Sequence, residues 1–110
     1  MSPGEIIFPS IIDKKNITIG ISTNGMSPTM SKFIRKKITS FLSQEKIHLL
    51  LKLQNEIKSE LKKNSESSNN IKLVLDYISK SRKISKLILS SYYNAKKEVY
   101  IYYKTNINNN

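Results

Sequence analysis

The sequence predicts an α+β chain, an N-terminal β-hairpin followed by three to four helices. Three observations carry this. Ile17 to Ser22 alternates Ile with Thr, Gly and Ser, the period of a half-buried strand. Ser27-Pro28 then opens a run in which Met30, Phe33, Ile34, Ile38, Phe41 and Leu42 recur at helical spacing. Beyond it, Lys-rich stretches keep a three-four apolar alternation.

The first strand lies in the Ile-rich run from Glu5 to Ile12. Asp13-Lys14-Lys15-Asn16 has the composition of a turn leading into the second. Pro9 cannot donate to a ladder, so it must face an open edge or begin a segment. A lone two-stranded hairpin is marginal in water, so these strands need more sheet from a partner chain or another domain. In the first helix Ser27 is a good N-cap, and Pro28 costs nothing at the first helical position. Lys32, Arg35, Lys36 and Lys37 take its polar face. A second helix is expected over residues 44–63, with Ile47, Leu50, Gln54, Ile57 and Leu61 as its stripe and Leu51 widening it. Lys62 and Lys63 complement its C-terminal dipole. Asn64 to Asn70 reads as a polar connector. A third helix carries Ile71, Val74, Leu75 and Ile78. A fourth, or a continuation across Ser79 to Lys83, carries Ile84, Leu87, Ile88, Tyr92, Ala95 and Val99. Tyr100 to Tyr103 fits strand or helix. The expected division is residues 1–43, hairpin and first helix; 44–105, helical domain; and 106–110, a frayed tail.

With 110 residues and 38% hydrophobic content, the chain has room for one modest core, not for a cofactor domain and a substrate domain together. There is no cysteine, which excludes disulfides and thiolate metal sites. No apolar run approaches the ~20 residues of a membrane span. The N-terminus lacks the pattern of a signal peptide, and the reading is cytoplasmic. Net charge is +11, and the excess lies from Lys32 onward. Such a field attracts polyanions: nucleic acid, acidic lipid or a multi-carboxylate metabolite. The alternative is a solvated Lys-rich helical surface.

Gly20 to Ser27 nearly fits a phosphate-binding loop, but Met26 stands where the lysine would be, and a thioether cannot supply that charge. Backbone N–H groups at the start of the first helix still offer an anion a partner. His48 is the only histidine and reads as structural, so a stable transition-metal site is not expected. Tyr92, Tyr93, Tyr100, Tyr102 and Tyr103, interleaved with Lys96, Lys97 and Lys104, either stack bases or, as the favoured reading, pack or line an interface.

Phe8-Pro9-Ser10-Ile11-Ile12-Asp13-Lys14, then Ile17 to Ile21, then Ser22-Thr23-Asn24-Gly25-Met26-Ser27-Pro28 and the basic helix with Arg35-Lys36-Lys37-Ile38 resemble the siroheme synthase family, precorrin-2 dehydrogenase/sirohydrochlorin ferrochelatase. Met30-Ser31-Lys32 stands where the family usually has Leu-Ala-Arg. The resemblance covers about the first 63 residues, with no match evident beyond Asn64. It implies a strand-exchanged homodimer, with residues 1–43 as the dimerisation segment. It also implies a tetrapyrrole substrate (precorrin-2, sirohydrochlorin). NAD would be bound by a Rossmann domain outside this chain, and ferrous iron would be a further substrate in the members that chelate. The family's aspartate before the Phe-Pro-Ser-Ile stretch would fall before Met1. The chain is therefore expected to be the dimerisation and helical part of such an enzyme, inactive by itself, with no catalytic, cofactor or metal residue of its own. Ser22, Thr23, Asn24 and Gly25 match the loop bordering the tetrapyrrole cleft, and the basic stripe of Lys32, Arg35 and Lys36 could steer the substrate's carboxylates, with Lys32 and Arg35 as its binding residues. The competing function is a basic helical module that binds nucleic acid. Charge alone supports it, and no recognition-helix pattern stands out.

Overall fold

The computed structural model describes residues 10–14, 17–21, 25 and 27–108. Among these, two strands and five helices follow in order: β1 (Ser10–Lys14), β2 (Ile17–Ile21), α1 (Pro28–Leu42), α2 (Glu45–Lys63), α3 (Ser68–Lys80), α4 (Arg82–Ser90) and α5 (Tyr92–Asn106). The α+β class holds, but with five helices rather than three to four. They fall into two compact units, one ending at Gln44 and one beginning at Glu45.

In the first unit β1 and β2 form an antiparallel hairpin with Ile12 opposite Ile19 and Ile11 opposite Gly20. The period of two puts Ile12 and Ile21 into a small core closed by Leu42 of α1, with Ile17, Ile19 and Ile38 beside them. The other face carries Ile11, half-exposed at 54%. Asp13 and Thr18 are a register pair there, and the Thr18 hydroxyl donates to the Asp13 carboxylate. Phe8 and Pro9 lie outside the described residues.

The second unit is an all-helical bundle. Its core is Leu53, Ile57, Leu61, Ile71, Val74, Ile78, Ile84, Ile88, Ala95, Val99 and Tyr103. Each fully buried aliphatic side chain stabilises by about 1.5–3 kcal/mol relative to exposure. Ile57 and Leu61 of the expected α2 stripe are buried and Leu50 packs beside them, but Leu53 takes the innermost place expected of Gln54. Leu53 is fully buried, and Gln54 sits at the stripe's edge, where its Nε2 donates to the Leu75 carbonyl at 3.0 Å. The connector is also shorter than expected, because α3 begins at Ser68. α2 stops where Ser65 turns left-handed at φ 60°. The Ser65 and Glu66 N–H groups return to the Lys62 and Leu61 carbonyls, each at 3.0 Å. This is a Schellman stop with serine in the place glycine usually takes.

Single serines break the remaining chain into three helices. Ser81 ends α3 by donating its N–H to the Tyr77 carbonyl and starts α4 by accepting the Ile84 N–H on its hydroxyl at 3.1 Å. Ser91 repeats the device between α4 and α5, with its hydroxyl accepting from Asn94 at 3.1 Å. Both serines are extended, at φ/ψ −75°/121° and −158°/108°, which turns the chain and interrupts the helical ladder. The break at Ser91 was not expected, and Tyr100 to Tyr103 is helical. Ser81→Ala is expected to destabilise by about 1 kcal/mol, against only a few tenths for Ser81→Gly. Urea unfolding of the full chain measures both, and equal losses would mean that the hydroxyl is not the stabilising cap.

Candidate functional site

The first unit holds the residues singled out for binding. Gly25 sits in an exposed turn at φ 84°. Among the described residues no atom lies within 4 Å of where a Cβ would project, and the positive φ is what asks for glycine. Ser22, Thr23 and Asn24 lie outside the described residues. The Ser27 hydroxyl is committed to the helix start, accepting the Met30 N–H at 3.2 Å.

From that cap, α1 presents three surfaces. Ile38 and Leu42 face the hairpin core. Met30, Phe33 and Phe41 stay about half-exposed. Lys37 extends along this apolar surface with its ammonium 5.5 Å from the Phe33 ring centroid. The third surface is cationic. Lys32, Arg35, Lys36, Thr39 and Ser40 line an open groove of about 490 Å³. Lys32 and Lys36, and likewise Arg35 and Thr39, are one turn apart and stack on one side of the helix. Arg35 also ties helix to hairpin, with its Nη1 donating to the Ile11 carbonyl at 3.3 Å.

The structure sets Lys32, Arg35 and Lys36, the basic stripe read from the sequence, along one groove with two hydroxyl-bearing neighbours, Thr39 and Ser40. Their spacing of three and four from Arg35 and Lys36 was the available signal. The groove has three cations, no carboxylate and no imidazole. Such a lining suits a multiply charged anion, and it lacks the carboxylate and imidazole groups used most often for proton transfer.

The second unit contains a polar seam that the sequence reading missed. Lys96 of α5 bridges two carboxylates of α2, reaching Glu60 at 2.7 Å and Glu56 at 3.2 Å. Tyr100 donates to Glu60 at 2.6 Å. Lys96 and Tyr100 hold the Glu60 carboxyl below the usual carboxylate range. Desolvation pushes Glu56 up, but the Tyr92 hydroxyl, Lys96 and Lys52 outweigh it and leave its pKa lowered. Lys96 is raised, chiefly by Glu60. Burial, followed by the facing carboxylates, raises Tyr92 and Tyr100. Glu66 accepts from Tyr103, Asn70 and the Ser67 N–H, and is lowered by them in that order. Tyr77 and Tyr102 stack with centroids 3.8 Å apart. Most of the tyrosines are thus occupied inside the bundle. The i, i+4 spacing of Glu56 with Glu60, and of Tyr92, Lys96 and Tyr100, was the only trace of this seam in the sequence. His48 is half-buried on α2. No group of acidic or histidine side chains among the described residues could hold a metal ion. No helix among them is long and apolar enough to cross a membrane.

The groove lies within a stretch with known relatives. Residues 14–40 match the family model described as sirohaem biosynthesis protein, central. The chain is 32% identical over 97 residues to precorrin-2 dehydrogenase of Methanosarcina barkeri, covering 88% of this chain and 43% of that protein. It is 34% identical over 58 residues to siroheme synthase of Psychrobacter cryohalolentis, 53% of this chain and 11% of that protein. A 97-residue match cannot fit within the first 63 residues, so the likeness extends beyond Asn64, further than the motifs alone indicated. The chain spans less than half the length of either relative. No solved structure matches it.

Proposed function

The chain belongs to the siroheme synthase family, and from that premise we propose that it forms the dimerisation region and one wall of the tetrapyrrole cleft of a siroheme-forming enzyme. In this reading the full enzyme oxidises precorrin-2 to sirohydrochlorin with NAD as hydride acceptor, and ferrous iron is the second substrate where the product is chelated.

One observation carries the reading: the cationic, carboxylate-free groove of Lys32, Arg35 and Lys36 falls inside the segment that matches the family model. Precorrin-2 and sirohydrochlorin are polycarboxylates, and a fixed cationic rim attracts and orients them. Arg35 offers the planar fork suited to a carboxylate, and its bond to the Ile11 carbonyl fixes where that fork sits. The redox step belongs outside these residues. Gly4, Gly20 and Gly25 are the chain's only glycines and cannot make a dinucleotide fingerprint, so nothing here fits NAD.

The hairpin supports the dimerisation half of the proposal. Among the described residues the sheet has two strands, and each leaves one backbone edge unpaired. Ile11 on one face and Phe33, Met30 and Phe41 on α1 add apolar surface beside it. Strand exchange with a second copy would pair the edges and cover this surface.

Two measurements test the reading. Light scattering on the full chain should give a dimer, and a monomer at high protein concentration would refute strand exchange. Sirohydrochlorin binding, followed by its absorbance, should weaken about tenfold or more in Lys32→Gln/Arg35→Gln/Lys36→Gln, a loss of roughly 1.4 kcal/mol or more. Unchanged affinity would remove the groove from the substrate site. Salt-dependent DNA binding without sirohydrochlorin binding would favour the nucleic-acid module instead.

A further inference from the structure

The helical unit carries a second cationic site, independent of the tetrapyrrole reading. α3 doubles back along α2, and a groove of about 390 Å³ opens between them. One end is cationic, with Lys58 and Lys62 one turn apart on α2 and Lys72 on α3. All three are exposed, and none forms an ion pair among the described residues. The floor is apolar, built from Ile71, itself buried, and Leu75. Asp76, one turn from Lys72 on α3, is the carboxylate of the lining, and it pairs outward with Lys80 at 3.4 Å.

The other lysines of the bundle show why this matters. Lys96 is spent on Glu56 and Glu60, and Lys83 on Glu98 at 2.9 Å. Lys58, Lys62 and Lys72 converge on one concavity without such a partner. Three like charges around one hollow repel each other, and an anion seated among them relieves that repulsion. The groove contains lysine and no arginine. A phosphate monoester carries about two negative charges at neutral pH and three acceptor oxygens, so it engages three ammonium point charges more fully than a single carboxylate does. From Ser68 to Ser79 the groove runs along about 16 Å of helix. That length and volume suit a small organic molecule rather than a macromolecular strand.

We propose that the α2–α3 groove binds a small phosphorylated organic molecule, with its phosphate at Lys58, Lys62 and Lys72 and its apolar body along Ile71 and Leu75. Both features are needed. The lysines supply the charge, and the floor accounts for preference over inorganic anions.

The test uses the full chain and 1-naphthyl phosphate as probe, with amide chemical shifts followed by NMR. Shifts should concentrate at residues 58–62 and 68–76. Affinity should fall at least tenfold in Lys58→Gln/Lys62→Gln/Lys72→Gln. It should hold within about twofold in Lys86→Gln/Lys97→Gln/Lys104→Gln, which removes the same charge from exposed positions elsewhere. Inorganic pyrophosphate should bind at least tenfold more weakly, as should 1-naphthoate. Equal losses in the two variants would reduce the effect to net charge and overturn the site. Equal binding of 1-naphthoate would overturn the phosphate assignment, and equal binding of pyrophosphate would overturn the role of the floor. The substituted lysines are exposed and those of the groove repel one another, so neither variant should melt below the parent. A drop confined to the groove variant would mean that its lysines are structural, and would count against the proposal.

Discussion

Ile57→Ala is expected to cost the helical unit about 2–5 kcal/mol. Ile57 is fully buried on α2, in the one core that joins all four helices of that unit. Truncation loses the transfer energy of the removed atoms and leaves a cavity that rigid helix packing cannot fully close. A unit of this size holds only about 3–10 kcal/mol in total, so the loss takes a large share of it. Leu73→Ala on α3, about half-exposed, should change stability by no more than about 0.5 kcal/mol. Urea unfolding followed by the helical circular dichroism signal compares them. Similar small losses for both would mean that α2 does not form the centre of the bundle.

Lys96→Met should cost about 1–2 kcal/mol, less than a fully buried pair because its partners remain partly in water. The substitution keeps the length of the stem but removes the cation between Glu56 and Glu60. Two like charges one turn apart are then left facing each other. The pH dependence carries a definite sign. Glu56, Glu60 and Glu66 have lowered pKa values in the folded state. Their contribution is complete above the unfolded carboxylate value and is lost as pH falls through the folded one. Lys96 and Lys83 are raised, as are Tyr92, Tyr100 and Tyr103. Their contribution is complete below the ordinary lysine and tyrosine values and declines as pH rises past them. The parent chain should therefore be most stable between these limits. In Lys96→Met the acid limb, scanned from about pH 7 down to about pH 3, should become shallower as Glu56 and Glu60 lose their cation. An unchanged acid limb would show that the bridge does not form in solution.

The first unit was the more legible one. Ser27-Pro28 announced the start of α1, and the basic residues at three and four spacing announced its groove. The bond from Arg35 to the Ile11 carbonyl was not legible, because it joins residues 24 positions apart. In the second unit the pattern misled at two points. Leu53 is one position off the three-four alternation, which passes through Gln54, and only packing against α3 and α4 decides which side of that stripe is innermost. The break at Ser91 was hidden because Ile84, Ile88, Tyr92, Ala95, Val99 and Tyr103 keep their three-four phase through it.

By itself the sequence determined what interactions within about four residues control: the alternating strand, the serine helix starts, the apolar period and the cationic face of α1. These depend on local backbone geometry and on hydrogen bonds that close a single turn. Only the tertiary structure decided which polar groups meet. Lys96 and Glu56, like Tyr100 and Glu60, are 40 residues apart and become neighbours when α5 packs on α2. The same packing ties up most of the tyrosines and Lys96, and leaves Lys58, Lys62 and Lys72 around an open groove. Local pattern cannot distinguish a lysine that will be paired from one that will not, because the partner is chosen by how the helices fold back on one another.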